Sequence, residues 1–389
     1  VGLSLSTAAP GATRKVGKGK NYPTPCAAIQ AAADGDTILI DAGNYPGDVC
    51  ALGRSRLTLK SVGGRARIDA QGKISQGKAI WVIAGNDTTV EGIEFSGAAA
   101  EARNGAGIRL DGRNLTVRDC YFHHNENGIL TGNNGGRVLV EFSEFADNGA
   151  GDGYSHNMYI GSIDSFTLRY SYSHRAVAGH LVKSRAAVNV VEYNRLTDET
   201  GTASYELDFP NGGLAYVVGN YLQQGANASN PNVLAYLMEG ANPRVTGRSL
   251  YVVNNTFVNQ GRYGLAVMVY ERLTSTVVLR NNLIAGFVEP ITSARVDAAN
   301  NIAVRSVEQA RFVDAAGYDF RLQANSPAVD AGRPVSDVNG VSLTAVSGFV
   351  TPHCRVERSV VGNSIDAGAD EFGNRPSAPV CNGSGAAGH

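Results

Sequence analysis

Five short segments carry much of the versatile chemistry of this chain. They are His156-Asn157-Met158-Tyr159, His180-Leu181-Val182-Lys183, Tyr205-Glu206-Leu207-Asp208, Tyr236-Leu237-Met238-Glu239 and Val267-Met268-Val269-Tyr270. Their third residues are all apolar. If each segment is a strand, alternation turns the third residue inward and the fourth outward. Tyr159, Lys183, Asp208, Glu239 and Tyr270 then form one outward column. The second residues share that face and include Asn157 and Glu206. The first residues, His156, His180, Tyr205 and Tyr236, fall in the inward phase, although the glycine-rich loop before His156 could lift it outward. Stacked parallel strands would set neighbours in the column about 4.8 Å apart. Carboxylates and a lysine at that spacing can exchange protons, and aromatic rings beside them offer flat apolar area.

Lys183 stands out within the column. The chain has seven Lys, and past residue 78 Lys183 is the only one; Arg takes every other basic position there, His aside. Arg does not release its proton, whereas Lys does when its surroundings favour the neutral amine. This points to Lys183 as a general base. The plainer reading is a solvated strand face with a Lys183–Asp208 ion pair worth about 0–1 kcal/mol. The density of unlike groups, in a chain with only 18% charged residues, favours the chemical reading.

The elements that must hold this column are legible as a repeat. A β-branched or Leu residue, two variable residues, a small residue or Asn, one more residue and an apolar or aromatic one recur along the chain. The fourth position falls at Ile93, Cys120, Ser143, Ser171, Asn194, Asn220, Asn255, Asn282 and Asn301. Unequal intervals, from 19 to 35 residues, fit coils of short strands joined by turns of different length. Parallel stacking explains the Asn column, since a turn residue that tolerates the left-handed conformation can also bond to the next coil. The 47 Gly fit tight corners. The expected class is all-β, a parallel β-helix of roughly ten coils. Residues 25–36 read as a short helix capping its first coil. The expected units are an N-terminal extension (1–24), the solenoid with its cap (25–303), a closing segment (304–373) and a loose tail (374–389).

Composition narrows the function. A net charge of −1 argues against a nucleic-acid binder that works by neutralising phosphates. No run of 18 apolar residues is present, so no membrane-spanning helix is expected. Of five Cys, Cys26 and Cys50 flank an N-terminal unit, Cys354 and Cys381 flank the C-terminal stretch, and Cys120 sits in an apolar strand. Two terminal disulfides and one buried thiol suit a secreted or periplasmic protein. A chain starting at Val1 fits removal of a leader. A monomer is expected. No zinc site, phosphate loop or Ser-His-Asp arrangement is recognisable.

The repeat resembles the right-handed parallel β-helix of the pectate-lyase-like superfamily over roughly residues 27–303. Leu181-Val182-Lys183-Ser184, followed by Asn189 and Asn194, resembles the alginate lyase and chondroitinase B type of β-helix lyase. That resemblance implies Lys183 as the base that removes the C5 proton of a uronic acid in an acidic polysaccharide. It also implies an Arg that assists one coil on, and a calcium ion, Ca2+, that neutralises the adjoining carboxylate. The sequence departs from the pattern there, because Tyr205-Glu206-Leu207-Asp208 carries carboxylates where that Arg would stand. The nearest Arg is Arg185. The expected roles are then catalysis by Lys183, Arg185, Tyr159 and His156, and substrate binding by Asn157, His180, Tyr205, Tyr236 and Tyr270. Glu206, Asp208 and Glu239 form an oxygen-ligand site for Ca2+. A glycoside hydrolase using the same carboxylates, a C5-epimerase and a non-catalytic glycan-binding helix are the alternatives. The loops 223–232 and 241–248 are expected to wall the groove.

Overall fold

The computed structural model describes residues 11–261, 263–270, 275–291, 296–374 and 378–381. Residues 1–10 of the expected extension, and 375–377 and 382–389 of the expected tail, lie outside the described residues. Short strands with β-branched and Leu residues at alternate positions stack in register, coil upon coil. One wall is a parallel sheet of nine strands among the described residues, from Cys50–Leu52 through Met158–Ile160, Lys183–Ser184, Leu207–Phe209 and Leu234–Tyr236 to Val267–Val269. Two further parallel stacks complete each coil, with strands such as Val188–Glu192 and Arg195–Thr197. Alternate side chains point inward and fill the solenoid. Phe95, Phe122 and Phe145 stack there at 5.0 and 4.8 Å, and Trp81 meets Phe95 edge-on.

The corner between the second and third strands holds the asparagine column. Asn194, Asn220, Asn255, Asn282 and Asn301 point inward, and each Oδ1 accepts the backbone N–H of the residue one coil below at 2.9–3.0 Å. Ser143 and Ser171 continue the column with hydroxyls. The left-handed conformation falls on the residue before each Asn, at Tyr193, Gly219, Asn254, Asn281 and Asn300, and not on the Asn itself. The ladder Asn keeps ordinary backbone angles and uses its amide alone.

One short helix, Pro25–Ala31, buries Ala28 and Ile29. Thr13–Val16 lies outside the expected boundary at residue 25, yet it pairs in parallel with Thr37–Ile40 and starts the stack. The closing segment does not simply end the solenoid; it runs back along its side. Phe312, Phe320 and Phe349 pack on Tyr221, Val258 and Leu283. Leu343 and Ala345 pack on Tyr193, Tyr216 and Val253. Cys26–Cys50 and Cys354–Cys381 are disulfides, and Cys120 is buried and free. No described helix is long and apolar enough to cross a membrane.

Candidate functional site

The outward column on the nine-stranded wall reads Arg109, Leu130, Tyr159, Lys183, Asp208, Ala235 and Met268. Tyr159, Lys183 and Asp208 are therefore direct neighbours, as expected. Above Asp208 the register differs from the sequence expectation by four residues: Leu234-Ala235-Tyr236 is the strand, not the segment ending at Glu239. Tyr236 is consequently inward and fully buried, and its hydroxyl donates to the Gly213 carbonyl at 2.6 Å. It cannot touch a substrate. Tyr270 lies two residues past the column, half-buried against the core.

Glu239 returns to the site by another route. Leu237 takes a left-handed φ of 65° and starts the turn that ends at Gly240. The turn swings Glu239 back over the wall. Its Oε1 stands 2.7 Å from Lys183 Nζ and its Oε2 2.5 Å from Arg185 Nη2. These two donors hold the Glu239 carboxyl below its ordinary range, against the opposing effect of partial burial.

A second correction concerns phase. In three successive coils two consecutive residues are buried at the strand entrance: Asn157 and Met158, Leu181 and Val182, Glu206 and Leu207. This double inward step breaks strict alternation, and the residue before it turns to the groove side, where the contacts of His156 with Tyr159 and of His180 with Asp208 place them although they are only 2% and 6% exposed. His156, His180 and Tyr205 therefore line the groove edge, while Asn157 and Glu206 point inside. Asn157 is fully buried, donating to Ser173 Oγ and the His174 carbonyl and accepting from Asn148. It has no substrate-binding role.

The three groove-edge residues form a ladder. Asn127 Oδ1 accepts the His156 N–H at 2.9 Å, His156 Nδ1 accepts the His180 N–H at 2.9 Å, and His180 Nδ1 accepts the Tyr205 N–H at 3.3 Å. The two imidazoles stack at 4.5 Å. Burial drives His156 well below its ordinary value and His180 down to about 3. Both rings are neutral, and with Nδ1 accepting, the proton is assigned to Nε2. His180 Nε2 faces Asp208 Oδ2 at 3.5 Å, and the His156 ring meets Tyr159 edge-on.

Lys183 Nζ lies between Glu239 and Asp208 Oδ2, the latter at 3.6 Å, and 5.8 Å from the Tyr159 ring centre. Burial pushes the Asp208 carboxyl up to about 7, with Lys183 opposing. The Asp208 carboxyl is therefore more readily protonated than a solvent-exposed one. Arg185 Nε donates to Tyr159 Oη at 3.0 Å, and Nη1 donates to Asn211 Oδ1 at 2.5 Å. Asn127 and Asn211 were not singled out from the sequence. The turn Phe209-Pro210-Asn211-Gly212-Gly213 was the available signal for Asn211. The 241–248 loop does wall the groove: Asn242 donates to Ser162 Oγ and Arg244 to the Asn133 carbonyl, each at 3.0 Å.

The expected calcium set does not fit. Glu206 points into the solenoid, and the two carboxylates left in the groove are both engaged by Lys183.

A family model described as a right handed beta helix region matches residues 68–230. No curated protein matches the chain. The crystal structure of pectate lyase Pel9A is 18% identical, covers 92% of this chain and 97% of its own, and superposes with a TM-score of 0.59. The chain is a right-handed parallel β-helix. Two further similar structures overlap less. A PL6 family polysaccharide lyase from Pseudopedobacter saltans (13% identity, 75% and 92% coverage) gives a TM-score of 0.37. A pectin methylesterase from Aspergillus niger (12%, 77% and 88%) gives 0.32. Polysaccharide lyases thus stand among the β-helix's structural neighbours at low identity, beside an esterase. A shared fold leaves function to the site.

Proposed function

We propose that this β-helix is a polysaccharide lyase that cleaves a uronic-acid polymer by β-elimination. The observation that carries the reading is Lys183 on the groove floor, flanked by Tyr159 and Asp208 in its column with Arg185 two residues on. Arg185 and the Nε2–H groups of His156 and His180 bind the uronate carboxylate. Binding displaces Glu239, which otherwise holds the same cations. Lys183, as the free amine, takes the C5 proton. The C5–H electron pair forms the C4=C5 double bond, the C4–O4 bond breaks, and O4 takes a proton from Tyr159. Arg185 bonded to the Tyr159 oxygen stabilises the phenolate that this donation leaves. Tyr205, at the groove edge, contributes ring surface. The two disulfides suit secreted or periplasmic work on such a polymer.

The test is incubation with a panel of uronic-acid polysaccharides, reading the ultraviolet band of a 4,5-unsaturated uronate. The Lys183→Arg variant is expected to keep the charge and fold and to lose at least 100-fold in turnover, within the range ascribed to general-base catalysis, about 10²–10⁴. Full activity in that variant removes Lys183 from the base role. A glycoside hydrolase is the second reading, because Asp208 and Glu239 bracket Lys183 Nζ at 3.6 and 2.7 Å and paired carboxylates are what glycosidases use. New reducing ends without the ultraviolet band decide for it.

A further inference from the structure

The groove floor does not run on evenly toward the N-terminal coils. Below Tyr159 its column continues through Leu130 and Arg109 to Val82 and Ala51. Lys78 stands immediately before the strand Ala79–Ile83, on the entrance side of the wall, and Asp111 stands immediately after Ala106–Leu110, on the exit side. These two strands are neighbours in register, Ala79 beside Ala106 and Ile83 beside Leu110. Lys78 Nζ nevertheless donates to Asp111 Oδ2 at 2.6 Å. Side chains rooted at opposite ends of adjacent strands touch only by crossing the face between them. The outward Val82 under that crossing is fully buried, while the Lys78 side chain above it stays 43% exposed. The ion pair is a bar laid across the groove from the outside.

Arg109 sits on the catalytic side of the bar. Its Nε donates to Asp111 Oδ1 at 2.8 Å, so Asp111 anchors both cations and the end of the groove keeps a net positive charge. Among the described residues no hydrogen bond occupies the two Nη atoms of Arg109, whereas Arg185 has all three nitrogens engaged. Arg109 Nη2 leans toward the next coil, where a Cβ on Gly132 would stand 3.8 Å from it. Gly132 and Gly161 lie two residues past the column, in the row that Asp111 begins and Arg185 continues. Two rungs without side chains therefore separate the open Arg109 fork from Arg185. A free guanidinium fork is matched bidentately by a carboxylate. At the opposite end, beyond Asp208, the column passes Ala235 and Met268, and no ion pair among the described residues crosses the wall there.

We propose that the groove is blind toward the N-terminal coils and that the enzyme acts from chain ends, with Arg109 holding the carboxylate of the terminal uronate. The inference rests on the lyase reading of the groove and adds its mode of action. Lys183 lies three rungs from Arg109, about 14 Å along the wall. The rungs of Leu130 and Tyr159 between them take the terminal part of the polymer. A chain entering from the Asp208 side advances until its end meets the bar. The bond presented to Lys183 then always lies the same number of residues from that end, so the product is a short oligosaccharide of one length. A polymer bound by its middle would have to break the Lys78–Asp111 pair and uncover Val82.

The experiment uses the full chain on the uronic-acid polysaccharides of the panel, following product size by gel filtration together with solution viscosity. One short product from the earliest times, with little fall in viscosity, is expected. Lys78→Ala opens the blind end and should give a mixture of sizes and a prompt fall in viscosity. Arg109→Gln should raise KM about 10-fold with kcat nearly unchanged. A spread of sizes from the unaltered chain overturns the inference and leaves the lyase reading standing. An ultraviolet band on none of the polymers overturns both. A Lys78→Ala chain that still makes one short product overturns the role of the bar, and an unchanged KM in Arg109→Gln overturns the terminal contact. If Lys78→Ala fails to fold, the product sizes of the unaltered chain still decide.

Discussion

Glu239 and Lys183 together show how one residue can hide another's function. In the proposed reaction the Glu239 carboxylate occupies the cations that a uronate would need, so binding has to displace it from a half-exposed ion pair. Such pairs contribute about 1 kcal/mol or less. Glu239→Gln is therefore expected to raise kcat/KM up to about 5-fold at low substrate, with no loss of fold by circular dichroism; a drop of 10-fold or more would show that Glu239 takes part in the chemistry. Much of the groove column was legible in the sequence, because a lone Lys among Arg and the recurring coil pattern with its small or Asn residue are local signals. The direction of the neighbours was not. His180, Asn157 and Glu206 came out on the face opposite to the one expected, and His156 took the outward side that the glycine-rich loop before it allowed. The double inward step at the strand entrance is a backbone property that no side-chain type announces. Glu239 was brought to the right site for the wrong reason: it arrives on a turn, not a strand.

At the scale of elements, the asparagine ladder and the first coil carry separate expectations. Asn255 is fully buried, donates to Val217 O and Asn282 Oδ1, and accepts from Asn220. Asn255→Ala removes these bonds and leaves buried backbone groups unpaired. A loss of about 3 kcal/mol is expected in urea unfolding; a loss below about 0.5 kcal/mol would show the ladder to be passive. The first coil is tied by Asp36, whose carboxylate accepts from the N–H groups of Ala33 and Ala12 and from Arg14 Nε. The Ala33 bond in particular lowers its pKa, despite burial. A lowered carboxyl pKa gives stability that is present above the unfolded value near 3.8 and lost as pH falls through the folded one. Asp36→Asn should thus lower Tm at pH 7 and make little difference at about pH 2.5; an equal penalty at both would assign the effect to packing. The repeat was readable from Ile93 to Asn301 because stacking demands like residues at like places. The first strand, Thr13–Val16, has no such repeat to flag it.

At the scale of the molecule, the closing segment decides what the solenoid shows to solvent. Tyr193, Tyr216, Tyr221, Val253 and Val258 lie on the outer faces of the strands and are buried only because residues 312–369 lie across them. Phe320 is 2% exposed in that contact. Phe320→Ala is expected to weaken docking by about 3–5 kcal/mol. Limited proteolysis should then cut within 304–373 faster while leaving the coils intact; unchanged cleavage would mean the strap is held elsewhere, for example by Leu343 and Ala345 against Tyr193 and Tyr216. The sequence marked this stretch as closing but not where it lies. Its Phe and Leu residues have no period, and the surface they cover is formed by residues far back in the sequence, as with Phe349 against Tyr172.

The groove column has a further consequence. Tyr159, Lys183 and Asp208 come from three consecutive coils, joined by loops whose lengths differ, yet their separation is set by strand pairing alone. Lengthening a loop leaves that separation unchanged, and removing a whole coil alters it by one step of about 4.8 Å. The spacing of the reacting groups is therefore quantised. Such a scaffold can exchange the side chain on any rung freely, but it can adjust the distance between rungs only in whole steps.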